Sequence, residues 1–346
     1  MYYRSLATAV PTQSWTQAEC WEALRETESV RRLPGRAAGL LEKVLLGENG
    51  IERRHFALSP SAGLTELGAQ ELNEAYEREA AELGGAALVR ALERGGVSGV
   101  DALFVCSCTG SLCPGLGSHV AERVGLGAST HLADLTGAGC GGAIPALHLA
   151  AGYLALHPGH RAAVLAVEVC SAAFYLSADP GVLISLCLFG DGAAAMVLDG
   201  ADVQESGRGF SRFSGLHWPQ HREKVRFVNR LGKLCNQLDR SVPEVAARAV
   251  GELYRQGEYA GHRVVCHAGG RDVLDAVEQE LGRGALQEAR EVLRRHGNMS
   301  SPSVLFALEQ ALRAETDPAQ YWLCTFGAGV AAHSCALEPV AAGATH

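Results

Sequence analysis

Short apolar runs alternate with amphipathic stretches between residues 101 and 169, and this alternation is the strongest constraint on the fold. "DALFVCS" (101–107), "THLADL" (130–135) and "AAVLAVEV" (162–169) read as strands. "GSHVAERVG" (117–125) and the stretch running to about His157 read as helices. Apolar runs too short for helices, separated by helical periodicity, predict a layered α/β architecture. A chain of 346 residues that is 47% hydrophobic can fill one large core or two fused halves.

A weak internal echo favours two halves. "FGDGAAAMVL" (189–198) resembles "FGAGVAAHSCAL" (326–337), and "LFVCSCTG" (103–110) resembles "RVVCHAGG" (263–270). The echo predicts a duplicated βα unit, with halves spanning 1–206 and 207–346. The mixed, polar segment from Gly207 to Arg230 reads as a connection, and the tail "AAGATH" as frayed.

The stretch "DLTGAGCGGAIPALHLAAGYLAL" (134–156) follows a strand and opens a helix. Gly137, Gly139 and Gly142 have the spacing of a dinucleotide-binding turn, and Glu168 ends the next strand. The same turn also carries Cys140 where a helix N-terminus stabilises a thiolate, with Pro145 in the first turn. Two partners for such a thiol appear in the second half. His267 ends the strand "RVVC" before Gly269 and Gly270, ahead of a helix with Val273, Leu274, Val277 and Leu281 on one face. Asn298 sits in a glycine-containing loop, with Ser301 as N-cap and Pro302 at the first position of the following helix. Each of the three has an ordinary reading in packing or turn chemistry. Together they favour one nucleophilic site.

The net charge of −8 argues against nucleic acid. Eleven cysteines, an odd number in a long chain and mostly within apolar runs, argue against a disulfide framework. Met1 to Trp15 lacks a basic region followed by an apolar core, and Glu168, Asp179 and Pro180 interrupt the apolar stretch 162–189. A reduced, cytoplasmic protein is expected. Cys106, Cys108 and Cys113 lack the paired C-x-x-C spacing of a zinc site, so packing is the better reading and no metal is expected.

"GENGIERRHFAL", "GCGGAIPAL", "VEVCS", "LFGDGAAAMVL", "CHAGGRDVLDAVEQELG", "GNMSSPSVLFAL" and "FGAGV" resemble, in order and spacing, the type III polyketide synthases, the chalcone-synthase-like enzymes. The similarity runs from about Tyr3 to Leu337, and "VCSCTG" is closest to bacterial members. The resemblance implies a thiolase-type αβαβα fold of two related halves and a homodimer. It implies decarboxylative condensation of malonyl thioesters on an acyl starter, with CoA or acyl-carrier thioesters as substrates and no metal or redox cofactor.

By position, Cys140 would be the acyl-carrying nucleophile, His267 its base partner and Asn298 the third member. Phe189 matches a gatekeeper, and Cys108, Cys170 and Ala173 match cavity-lining positions. Cys113 matches a residue that reaches across the dimer to the partner's cavity. His267 would also activate Cys140 as an imidazolium beside a thiolate. Two departures stand out: His-Ala-Gly-Gly replaces His-Pro-Gly-Gly, and residues 41–48 offer only Lys43 against Glu42 and Glu48 for the CoA phosphates. A carrier-bound starter, or the cluster Arg222, Lys224, Arg226, Arg230 and Lys233, would compensate; a solvated surface is the other reading of that cluster. Alternatives within the wider family are a single-step ketosynthase, a fatty-acid-initiating synthase and a non-catalytic acyl-binding relative.

Overall fold

Both faces of each central strand are apolar, and the computed structural model shows why. It describes residues 1–60, 66–204, 207–282, 284, 286–314 and 320–340, so the tail 341–346 lies outside the described residues. Ala102, Phe104 and Cys106 face one core, while Leu103 and Val105 face another. A strand covered by helices on both sides reads as a continuous apolar run.

Among the described residues, nine strands join in one mixed sheet. Their order is Arg263–Cys266, Tyr321–Gly327, Ala331–Pro339, Arg208–His217, Tyr2–Ala9, Gly192–Asp199, Arg161–Glu168, Ala102–Cys106 and His131–Leu135. Every strand of this sheet from before residue 200 lies on one side of a seam at which Tyr2 pairs with Gly209. Ala102–Cys106 runs parallel to both of its neighbours, and Arg263–Cys266 runs parallel to Tyr321–Gly327.

Helix Ala69–Gly95 packs against the outer face of the first set of strands. Helix Val242–Arg255 packs against the strands of the second set. Between the sets lie helices Ala143–Leu156 and Ser303–Arg313, each touching strands from both sides of the seam. This buried middle layer brings the segments that start the two helices, and hence Cys140 and Asn298, to one place. No helix among the described residues is long and apolar enough to cross a membrane.

The segment Gly207 to Arg230 is not a simple connection. It supplies sheet strand Arg208–His217 and half of a hairpin formed by Val225–Arg230 and Lys233–Leu238. Its alternation is masked because the register with Ala331–Pro339 shifts between Ser334 and Ala336, and Arg212 has a φ of 52°. The extra residue turns both Phe210 and Phe213 toward the core despite their spacing of three.

Candidate active site

Cys140 stands in a single 3₁₀ turn, Gly139–Gly141, between strand His131–Leu135 and helix Ala143–Leu156. Gly139 has a φ of +57°, and a Cβ there would lie 2.9 Å from the Ala328 nitrogen. This glycine therefore serves a close approach between two turns. Glu168 is fully buried, and its oxygens are taken by Cys108, Thr109 and Ser301. It has no capacity to hold a ribose.

His267 follows the buried strand Arg263–Cys266, and its backbone N–H donates to the Cys324 carbonyl at 3.1 Å. Its ring meets Phe326 edge-on, with centroids 5.1 Å apart. Both ring nitrogens are buried and have no hydrogen-bond partner among the described residues. A buried polar group left unmatched is costly, and the ring lines a cavity that a ligand could enter.

Asn298 is held more firmly than a loop residue. Its N–H donates to the Leu188 carbonyl at 2.9 Å, and its carbonyl accepts from Gly190 N–H at 3.0 Å, which pairs it with Phe189 as a parallel bridge. The side-chain Oδ1 accepts from Ser300 N–H at 2.8 Å, and Nδ2 donates to the Gly269 carbonyl at 3.2 Å. An amide nitrogen has two hydrogens, and the second is directed toward the Cys140 sulfur. The next helix begins at Ser303, with Pro302 at the cap. Ser301 is not the cap: its hydroxyl donates to Glu168 at 2.6 Å instead.

Cys140, His267 and Asn298 line one cavity of about 930 Å³. Phe189, Cys108, Cys170 and Ala173 line the same cavity. Cys113 does not; it is exposed on the loop that follows strand Ala102–Cys106. Of the basic cluster, Arg226 alone lines the cavity. Arg222 pairs with Glu223, Lys224 with Asp239, and Lys233 donates to the Leu67 carbonyl. The other cationic lining residues are Lys43, Arg240 and Arg271.

Burial controls the site's protonation. It pushes the Cys140 thiol up to about 12, against the opposing pull of hydrogen bonds from Ser300 and Asn298. It also pushes the His267 imidazole down to about 3. In the unliganded site burial thus favours a neutral thiol and a neutral imidazole, and works against the expected thiolate beside an imidazolium. Loss of water disfavours the charged form of each group. Cys108 and Cys170 are also pushed well above the ordinary thiol range by burial.

Two family descriptions match consecutive parts of the chain: FAE1/type III polyketide synthase-like protein over residues 17–214, and the C-terminal domain of chalcone and stilbene synthases over 224–337. The chain is 32% identical to a 3,5-dihydroxyphenylacetyl-CoA synthase of Streptomyces toyocaensis over 94% of its own length and 86% of that protein. It belongs to the type III polyketide synthases. It is also 32% identical to a 1,3,6,8-tetrahydroxynaphthalene synthase of Streptomyces peucetius subsp. caesius, covering 96% of this chain and 91% of the relative. The crystal structure of 1,3,6,8-tetrahydroxynaphthalene synthase from Streptomyces coelicolor A3(2) superposes with a TM-score of 0.87 at 26% identity, covering 99% and 100% of the two chains. A polyketide synthase from the brown alga Ectocarpus siliculosus shares the fold, with a TM-score of 0.89 over 98% of each chain. The layered architecture is accordingly thiolase-type, and this synthase is an acyltransferase that condenses malonyl thioester units onto an acyl starter.

Sequence reasoning gave no role to Ser300, which the synthase places at the centre of the site. Ser300 has a φ of +59°, uncommon for a residue with a side chain. Its hydroxyl lies 3.3 Å from the Cys108 sulfur and also bonds toward Cys140. The only signal in the chain is the pair "SS" after "GNM", which reads as helix-capping chemistry.

Proposed function

We propose that Cys140 carries the acyl chain, His267 is its proton partner and Asn298 donates to the enolate formed from malonyl. The observation that carries the reading is that these three side chains, from segments 127 and 31 residues apart in sequence, line one cavity. With both groups neutral at rest, proton transfer from Sγ to the imidazole accompanies attack on the acyl carbonyl. The thiol of the donor leaves and takes up a proton, and the acyl group remains on Cys140. Malonyl then loses carbon dioxide, and the electrons of the broken C–C bond pass to an enolate. An N–H on His267 and the second amide hydrogen of Asn298 stabilise its oxygen. The enolate carbon attacks the Cys140 thioester and releases the sulfur for the next cycle. No metal or redox cofactor enters these steps.

CoA thioesters are the proposed donors. Lys43, Arg226, Arg240 and Arg271 line the cavity and are at least partly exposed, where phosphates would meet them. Phe189 acts as the gate, while Cys108, Cys170 and Ala173 set the shape of the product chamber. The proposed assembly is a cytoplasmic homodimer. Strand His131–Leu135 forms an outer edge of the sheet, with Leu132, Leu149 and Leu156 exposed. An open strand edge is a ready surface for pairing, and Cys113, exposed on a nearby loop, would reach the partner's cavity. The halves 1–206 and 207–346 are proposed to descend from one duplicated unit, in keeping with the echoed motifs.

The test is intact-protein mass spectrometry after incubation with a panel of acyl-CoA donors, with and without malonyl-CoA. An acyl adduct on Cys140 that malonyl-CoA lengthens or releases is expected. An adduct confined to another cysteine refutes the assignment.

A further inference from the structure

The geometry points to Arg54 as a positioning residue that holds the gate Phe189 and the donor Asn298 in register. The inference rests on the reading that Phe189 and Asn298 serve the reaction. Arg54 lies in the short strand Arg53–His55, part of "GENGIERRHFAL", and is 1% exposed. A guanidinium buried so deeply is costly unless its donors are matched. Its Nη1 donates to the carbonyls of Leu186 at 2.7 Å and Phe189 at 2.8 Å. Its Nε donates to Oε1 of Gln17 at 2.9 Å, and Gln17 Nε2 donates to the Cys187 carbonyl at 2.9 Å.

Those three carbonyls belong to the last turn and cap of helix Pro180–Leu188. Backbone acceptors there lack partners within the helix, and the helix dipole favours a positive charge. Arg54 thus caps the helix that delivers Phe189.

The methylenes of Arg54 secure the other half of the pair. A Cβ at Gly297 would lie 2.8 Å from Arg54 Cγ, and one at Gly190 would lie 3.4 Å from Arg54 Cβ. Gly190 follows Phe189 and Gly297 precedes Asn298. These are the stretches joined by the Gly190–Asn298 and Asn298–Leu188 hydrogen bonds. A single side chain therefore braces both sides of the bridge that carries the gate and the amide. Arg54 itself does not line the cavity.

The experiment compares wild type with Arg54→Met, Arg54→Lys, Gln17→Ala and Asn298→Ala. Two quantities are read on each folded variant: acyl loading of Cys140 by intact mass, and malonyl-CoA decarboxylation normalised to loadable sites. This normalisation removes any loss due to instability alone. Displacement of a positioned group by about 1 Å can cost about 100-fold in rate. Arg54→Met is expected to load normally and to decarboxylate about 100-fold more slowly, through kcat and not KM. Arg54→Lys should recover part of the rate, because an ammonium keeps the charge but lacks the planar fork. Gln17→Ala should show a smaller loss in the same direction. If Arg54→Met does not fold, Arg54→Lys and Gln17→Ala decide the matter. Wild-type decarboxylation in the folded Arg54 and Gln17 variants overturns the inference, as do equal losses of loading and decarboxylation. Normal decarboxylation in Asn298→Ala would instead remove the reading of the site on which the inference rests.

Discussion

Removal of the Asn298 amide should separate catalysis from stability. The side chain makes two hydrogen bonds to backbone groups, accepting from Ser300 N–H at 2.8 Å and donating to the Gly269 carbonyl at 3.2 Å, and it also bonds toward Cys140. Its residue is 4% exposed, so water does not readily replace either partner. Asn298→Ala therefore leaves two polar groups unmatched, each costing about 1–3 kcal/mol of stability. The catalytic cost has a different origin. The second amide hydrogen, directed toward Cys140 in the free site, is one preorganised donor to the enolate, worth about 3–4 kcal/mol, or roughly a 100- to 1,000-fold change in rate. Asn298→Leu removes the same donor but keeps most of the side-chain volume. The two variants should then melt at different temperatures and share the same slow decarboxylation. Malonyl-CoA consumption measures the rate, intact mass confirms that Cys140 still loads, and thermal unfolding measures stability. If decarboxylation follows melting temperature across the pair, or remains normal in both, the donor role is wrong.

Four other outcomes are expected. Cys140→Ala should abolish both adduct and product while the circular dichroism spectrum stays that of the wild type; an adduct retained on another thiol would relocate the site. Cys170→Phe should shorten the product or exclude bulky starters with little loss of melting temperature, because Cys170 faces the cavity; a loss of about 1–3 kcal/mol with unchanged products would mark the residue as packing. His296 should make the fold sensitive to acid. Burial, aided by neighbouring His55, pushes its pKa down to about 4, below the unfolded value of about 6.5. The unfolded chain therefore binds the proton first, and the stability present above pH about 6.5 is lost as the pH falls toward about 4. Asp191, raised to about 6 by burial, tilts the curve the other way, so the reading is the difference between wild type and His296→Leu in urea melts across that range; parallel curves would contradict it. Finally, a mixed dimer of one Cys140→Ala chain and one Cys113→Phe chain should give the wild-type product, since the intact nucleophile would keep a wild-type Cys113 from its neighbour; an altered product shows that Cys113 serves its own cavity.

Residues whose local setting announces them were legible in the chain. Cys140 between a strand and a helix, and His267 at the end of a β-branched run, could be singled out because turns at strand ends face clefts. Asn298 could be noticed as a loop residue and lines the same cavity, but its anchoring to Leu188 and Gly190 across more than 100 residues left no mark nearby. Arg54 and Glu168 illustrate the limit. Arg54 reads as surface in sequence and Glu168 as the acidic end of a strand, yet both are buried because their partners lie far along the chain, from 37 to 135 residues away for Arg54. The burial that raises the Cys140 thiol's pKa also left no mark in the chain, since local pattern reveals a helix terminus but not desolvation. The bulge in strand Arg208–His217 hid that strand for a related reason, because it breaks the period by which strands are recognised.

The seam between the Cys140 turn and the Gly327 turn bears on recombination. A Cβ on Gly327 would fall 2.4 Å from the Ala138 carbonyl oxygen and from the Gly141 nitrogen, so the two backbones are in direct contact. A chimaera made by exchanging the second half with that of a relative would join two surfaces that had not diverged together, directly beneath the nucleophile. Such hybrids should tolerate foreign residues on the outer helices far better than at this contact. Grafting the turn 326–330 together with its opposing stretch 138–142 would preserve the fit, whereas a crossover that separates them would yield soluble proteins with a displaced cysteine.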